Sequence, residues 1–547
     1  MSMKIDFFWH SYKYLPYERK LAKRELMALF KSLPVSHPNG FTVKINDPSW
    51  QDIAKRVTYF RGAIAENGER VIPRQALLEA SANGGIQDCM TGFEAFPSSS
   101  RQSTRYSAHG IHEYRGKFNP QIVRAIGNLL NLSPGDWILD PFCGSGTTLL
   151  ETAYNGWNGI GLDINPLGIE IAKAKLAALR APSDDLRMFS AKLTQNLNHL
   201  IIDLSLESPF DAQQKVQVGG TEWEDMLPNL DYLRAWFTES VLVQLAAILR
   251  AIEEIPEPAM RAIFRIVLSN ILRDVSLQEP ADLRIRRRKS PPPNVPVIPL
   301  FVDTLVSWIE NLLQAQQCFQ PASNTVQKAI LGDVRQAVNV ISKTSPRQIF
   351  SAAITSPPYV TALPYIDTQR LSLAILGLIN AADIRTTERQ LIGNREITNR
   401  QRQVWEDALR ENQYNLPIEC WQFCCELAAA VNPEKDGFRR QNKPALTYQY
   451  FSEMAQMFEQ VKCLLRPSAP FVLVVGSNRT KLGGRQFVID TAHWLRTVAE
   501  QRGFRQVEVL ELDTYQRYSV HQANSIRTET MLILEVIPDA SQSHSAD

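Results

Sequence analysis

Three short segments of this chain hold residues whose types and spacing suit chemistry. The first is Asp140-Pro141-Phe142-Cys143-Gly144-Ser145-Gly146-Thr147-Thr148. Gly144 and Gly146 lack a Cβ and let the backbone pass close to a ligand, and a helix start behind them would offer free N–H groups. Asp140 would end a strand, where open α/β sheets bind ligands. The second is Gly161-Leu162-Asp163-Ile164-Asn165. An acid about 20 residues beyond a glycine loop is placed to bond two ribose hydroxyls, or it caps the following helix. The third is Thr355-Ser356-Pro357-Pro358-Tyr359. Two prolines stiffen the turn and supply no N–H, so its carbonyls remain acceptors. With the Ser356 hydroxyl and the Tyr359 ring they suit a planar ring carrying an amino group, stacked on Tyr359 with its N–H groups donating to Ser356 and Pro357. A glycine turn without a ligand and a plain β-turn are the bland alternatives for the first and third segments.

The elements that must position these residues form an α/β pattern. Asn119-Pro120 opens an amphipathic helix through Leu130, Trp137 to Leu139 is a strand before the glycine loop, Gly159 to Leu162 is the next strand, and Pro166 to Leu179 is a helix. That alternation implies a parallel sheet. Strand pattern returns at Ala329 to Leu331, Phe350 to Ile354 and Phe471 to Val475, with Val507 to Leu512 and Met531 to Val536 able to pair as terminal strands. Phe487 to Arg502 reads as helix. Between the halves, 181–325 is a mostly helical insertion, with helices over Leu230 to Ile255, Met260 to Val275 and Phe301 to Gln317. Residues 1 to about 100 read as helix, chiefly Tyr17 to Phe30, mixed with loops. A serine-rich break at Ser98, Ser99, Ser100 and Ser103 closes them. The expected division is an N-terminal extension (1–104), a cofactor-binding part (105–180), the insertion (181–325), a catalytic part (326–538) with a helical segment at 370–445, and a polar tail (539–547).

Composition limits the alternatives. Over 547 residues, 44% hydrophobic and 21% charged is ordinary globular usage. No run of 18 apolar residues calls for a membrane span, and seven cysteines make no disulfide framework, so a cytoplasmic, reducing home is expected. A net charge of +2 does not by itself steer the chain onto nucleic acid. Cys420, Cys424 and Cys425 lack a second ligand pair, so they read as helix thiols and no metal site is expected. Arg284 to Lys289 could contact phosphates or be solvated loop. Arg395, Arg400, Arg402, Arg439, Arg440 and Lys443 are weaker candidates, and Arg517, between Tyr515 and Tyr518, could lie near the pocket.

Together, DPFCGSGTT, GLDIN and TSPPY resemble the S-adenosylmethionine-dependent amino-methyltransferases of nucleic acids. The serine before Pro-Pro-Tyr most resembles the DNA N4-cytosine enzymes, with N6-adenine enzymes as relatives. The resemblance implies an α/β, Rossmann-like methyltransferase sheet carrying the insertion and the extension. It implies S-adenosyl-L-methionine as cofactor, with Asp140, Pro141, Phe142, Gly144, Gly146 and Thr147 at its methionine end. Asp163 would take the ribose, Ile164 the adenine face and Asp333 the adenine amine. His112, Tyr114, Lys117, Phe118 and Pro120 resemble the motif that closes over the methionine. Ser356, Pro357, Pro358 and Tyr359 would be catalytic, acting on a base flipped out of double-stranded DNA. Either a restriction or defence-system protein would be its partner, or it would be an orphan regulatory enzyme. An RNA amino-methyltransferase, acting on tRNA or rRNA, and a degenerate nucleic-acid-binding subunit of a defence complex are the alternatives. C5-cytosine chemistry is set aside: it needs a Pro-Cys nucleophile, which this chain lacks, and Cys143 sits in the cofactor loop.

Overall fold

The computed structural model describes residues 2–82, 102–205, 217–218, 221–279, 286–288, 295–346, 348–360, 366–513 and 528–538. Ser98 to Ser100, Arg284, Ile285, Lys289, Tyr515 to Tyr518 and the tail 539–547 lie outside the described residues.

Seven strands form the central sheet: β1 Trp137–Asp140, β2 Asn158–Asp163, β3 Gln327–Leu331, β4 Ala352–Thr355, β5 Pro470–Gly476, β6 Phe504–Asp513 and β7 Thr528–Val536. Their order is β3-β2-β1-β4-β5-β7-β6. The first five are mutually parallel, and β7 runs antiparallel to both neighbours. This is the Rossmann-like methyltransferase sheet. Its central strands are apolar runs because both faces are covered. Leu139, Ala353, Leu473 and Leu532 pack on one side, and Ile138, Ile354, Val472 and Met531 on the other. The strand order reverses between β1 and β4, so the carboxyl ends of β1, β2, β3 and β4 border one crevice.

The N-terminal extension is not helix and loop. It holds a five-stranded antiparallel sheet of Val35–His37, Gly40–Ile45, Met3–Trp9, Phe60–Ala65 and Arg70–Val71, in that order. Among the described residues its one long helix, Pro16–Phe30, packs Leu21 and Leu26 into the core that also holds Ile122, Val123 and Ile126 of the helix Pro120–Leu129. Glu25 accepts hydrogen bonds from Thr58 N, Thr58 Oγ1 and Asn128 Nδ2, at 2.9, 2.5 and 2.6 Å. Arg24 Nη1 donates to Glu508 Oε1 on β6 at 2.6 Å. The extension thus closes one face of the central sheet.

The insertion is helical, as its pattern implies, but Leu230 to Ile255 is two helices, Leu230–Arg234 and Glu239–Glu253. The break falls where Thr238 adopts extended backbone before the second helix. Val297–Cys318 is long and apolar enough to cross a membrane by composition. Here Phe301, Leu305 and Leu312 are buried in the insertion's core, which continues into the helix Pro166–Arg180. Phe487 belongs to a strand, not a helix: Arg485–Ile489 forms a hairpin with Asn478–Leu482, and the helix begins at Thr491. Cys420 and Cys424 are fully buried among the apolar side chains beside the sheet.

Behind the glycine loop, a buried ion pair joins three segments. Glu151, on the helix Thr147–Asn155, accepts from Arg124 Nε at 2.8 Å, from the Tyr106 hydroxyl at 3.0 Å, and lies 3.0 Å from His109 Nε2. Burial opposes the Glu151 charge, but Arg124 and His109 outweigh it and hold the carboxyl below its ordinary value. Burial pushes His109 down to about 3, so it is a neutral donor to the carboxylate. Glu151→Ala leaves the Arg124 guanidinium buried without its counter-charge, and is expected to cost about 3–5 kcal/mol. A urea midpoint within experimental error of wild type would show that the pair contributes nothing.

Candidate active site

A cavity of about 300 Å³ opens at the carboxyl ends of β1 to β4. Asp163 closes β2, Asp333 follows β3, and Ser356 to Tyr359 follow β4. Of the residues marked by the sequence, Tyr114, Lys117, Phe118, Pro141, Phe142, Gly144, Asp163, Ile164, Asp333, Ser356, Pro357, Pro358 and Tyr359 all line it.

Pro120, Asp140, Gly146 and Thr147 do not line it. Asp140 is only 2% exposed. Its Oδ1 accepts from Phe142 N at 3.1 Å and from Thr355 Oγ1 at 2.6 Å. It therefore shapes the loop and ties it to the residue preceding Ser356. Burial raises its carboxyl to about 6. Gly146 has φ +76°, and a Cβ there would lie 2.7 Å from the Ala172 Cβ, so only glycine fits the close approach of loop and helix. His112 points the other way, with Nε2 3.0 Å from Ser269 Oγ of the insertion.

The loop is held open from below. Lys175, fully buried, donates Nζ to the Ser145 carbonyl at 2.9 Å and to its hydroxyl at 3.1 Å. Gly144 N donates to Asp163 Oδ2 and Asn165 N to Asp163 Oδ1, each at 2.8 Å. Asp163 is thus braced by two amides, and burial lifts it to about 6. The helix cap that Asp163 could have supplied comes from Asn165, whose side chain accepts from Leu167 N. Asn165 Nδ2 also donates to the Tyr114 hydroxyl at 3.3 Å and to Gln369 Oε1 at 2.6 Å. Lys117 Nζ donates to the Thr104 carbonyl at 2.7 Å, and burial lowers it to about 7. Asp333 is paired with Arg335, which also reaches Glu453 Oε1 at 2.7 Å.

The turn after β4 is fixed from behind. The Tyr450 hydroxyl donates to the Pro358 carbonyl at 3.0 Å and Asn478 Nδ2 to the Val360 carbonyl at 2.5 Å. Gly393 packs so close to the Tyr359 carbonyl that a Cβ would sit 2.7 Å from it. The adjacent Gln390, Leu391 and Ile392 form a cavity wall that no motif announces, and neither does Glu529 of β7. Asn165 and Gly332 are missed too, although Asn165 lies inside a marked segment.

Residues 92–174 match the family model described as DNA methylase. The chain is 26% identical over 429 residues to the type II methyltransferase M.BsoBI of Geobacillus stearothermophilus, covering 74% of this chain and 80% of that one. It is 46% identical over 78 residues to the type II methyltransferase M.MjaII of Methanocaldococcus jannaschii, 14% of each chain. A shorter likeness joins it to a tRNA (guanine(10)-N2)-dimethyltransferase of Methanothermobacter thermautotrophicus, 34% over 83 residues, covering 14% of this chain and 25% of that one. Over these stretches the chain is similar to DNA amino-methyltransferases, the DNA-methylase match spanning the glycine loop and Asp163. Its cofactor is S-adenosylmethionine, and the cavity fits that group. The volume is within the range of small-molecule sites, a braced carboxylate at Asp163 suits a diol, Phe142 and Ile164 offer apolar walls, and Asp333 offers an acceptor beyond them.

The remaining basic candidates of this methyltransferase divide. Arg402 pairs with Glu406, Arg439 with Glu396 and Arg440 with Asp436. Arg286 and Arg287 are exposed, while Arg288 folds back to donate to the carbonyls of Gln278 and Asp274.

Proposed function

We propose that this enzyme methylates the exocyclic amine of a base flipped out of double-stranded DNA, N4 of cytosine in preference to N6 of adenine, as the modification half of a restriction-modification system. The observation carrying this reading is that the Ser356–Tyr359 turn lines the same cavity as the braced Asp163. The type II methyltransferase relatives support the restriction-modification context, and a cognate nuclease would be the partner.

When bound, the cofactor supplies an activated methyl group. The protein's task is then alignment and charge stabilisation. An exocyclic amine is a poor nucleophile because its lone pair is delocalised into the ring. The Ser356 hydroxyl and Pro357 carbonyl accept its N–H bonds, favour a pyramidal nitrogen and stabilise the positive charge that develops there. Tyr359 supplies a stacking face worth about 1–3 kcal/mol. In this reading Asp163 holds the ribose hydroxyls, Asp333 the adenine amine, and Phe142 and Ile164 exclude water. Tyr114, Lys117 and Phe118 cover the methionine end. Asp140 serves indirectly, joining loop and turn through Thr355.

Long-read sequencing of DNA from cells expressing wild type or Ser356→Ala tests the reading. A sequence motif carrying N4-methylcytosine only with wild type is expected. The short tRNA-methyltransferase likeness makes RNA the second reading; N2-methylguanine appearing in tRNA instead, with DNA unmodified, would replace the first.

A further inference from the structure

Glu529 reaches the cavity from the far side of the sheet. It is the second residue of β7, paired with Gly476 on β5 and Leu512 on β6. Strand alternation puts it on the face of Met531 and Ile533, beyond their buried core and at the open end. There its Oε1 accepts a hydrogen bond from the Tyr359 hydroxyl at 2.5 Å, and both side chains line the cavity.

The turn's backbone is already fixed at the Pro358 and Val360 carbonyls. Those bonds hold backbone carbonyls and do not touch the Tyr359 side chain. A phenol donating to a carboxylate is a charge-assisted, short and directional bond, and it pins the ring at the end farthest from the backbone. We propose that Glu529 is a positioning residue that sets the plane of the Tyr359 ring, and with it the slot into which the target base stacks. This rests on Tyr359 being the stacking platform of the proposed reaction. Glu529 acts through Tyr359. It lies at the start of its strand, away from the buried core, so its removal should leave the sheet intact.

The test is a double-mutant cycle on methyl transfer from radiolabelled S-adenosylmethionine into genomic DNA of a methylation-deficient strain. Glu529→Ala and Tyr359→Phe are each expected to lower kcat/KM for DNA by about tenfold or more, with the cofactor Kd unchanged. The double variant should be no worse than either single variant. Glu529→Gln should recover most of the activity, because its amide oxygen still accepts the phenolic proton. Multiplicative losses in the double variant would overturn the proposal. So would full activity of Glu529→Ala beside an inactive Tyr359→Ala, which would leave the reading of Tyr359 standing. Full activity of Tyr359→Ala would remove that reading itself.

Discussion

Replacing Ser356 and Tyr359 together by alanine is expected to lower methyl transfer by about a thousandfold or more while leaving cofactor affinity within about twofold. In the proposed reaction the hydroxyl is one of two acceptors offered to the amine, and the ring replaces the stacking that a flipped base loses. The backbone of the turn would survive, because Tyr450, Asn478 and the Asp140–Thr355 bond hold it without using either side chain. Calorimetric cofactor titration beside a radiolabel transfer assay separates the two quantities. Transfer above a tenth of the wild-type rate would show that the turn does not carry the chemistry.

Asp163→Ala should act on the other quantity, weakening cofactor binding by about a hundredfold, the loss expected for hydrogen bonds to a charged acceptor. It also frees the amides of Gly144 and Asn165, so the loop loses a brace along with its ligand contact. The dependence on pH has a definite sign. Burial raises Asp163 to about 6. Below that pH one oxygen carries a proton and becomes a donor, while two amides still demand acceptors. The cofactor Kd should therefore rise as pH falls through about 6, and the rise should shrink in Asp163→Asn. Asp140, also lifted to about 6, would retain a smaller response through the loop. A Kd independent of pH between about 5 and 7, one unit either side of 6, would remove Asp163 from the diol contact. For stability, an acid raised in the folded state favours folding below its unfolded value, and that contribution is lost as pH rises through about 6.

The strands and glycine loop of the cofactor half were legible because each feature is local: an apolar run, a turn, a helix start. The N-terminal sheet was legible in principle. Ile5 and Phe7 alternate with Lys4 and Asp6, and Phe41, Val43 and Ile45 alternate with Thr42 and Lys44. The strands are short, and the one strong helical stretch beside them masks the period of two. Glu529 was not legible at all: it meets Tyr359 across 170 residues of chain. Asp140 was legible as a strand-end acid beside a glycine loop, but its bond to Thr355 was not, because only the packing of β1 against β4 brings the two together.

The insertion between β2 and β3 also bears on how the molecule assembles. Val326 and Asn158, which bond just before the pairing of β3 with β2 begins, are 168 residues apart, and Thr355 and Asp140 are 215 apart. Closing such loops costs entropy that grows by about 0.6 kcal/mol for each doubling of length, and it precedes any reward from the contacts made. The insertion's helices share one core with the helix Pro166–Arg180 that follows β2, so their collapse onto it should span that distance before the sheet is complete. The walls of the cavity then meet only in the last stage of folding. Cofactor added at the start of refolding should slow unfolding without speeding folding, since the structure it recognises does not exist until the sheet has closed.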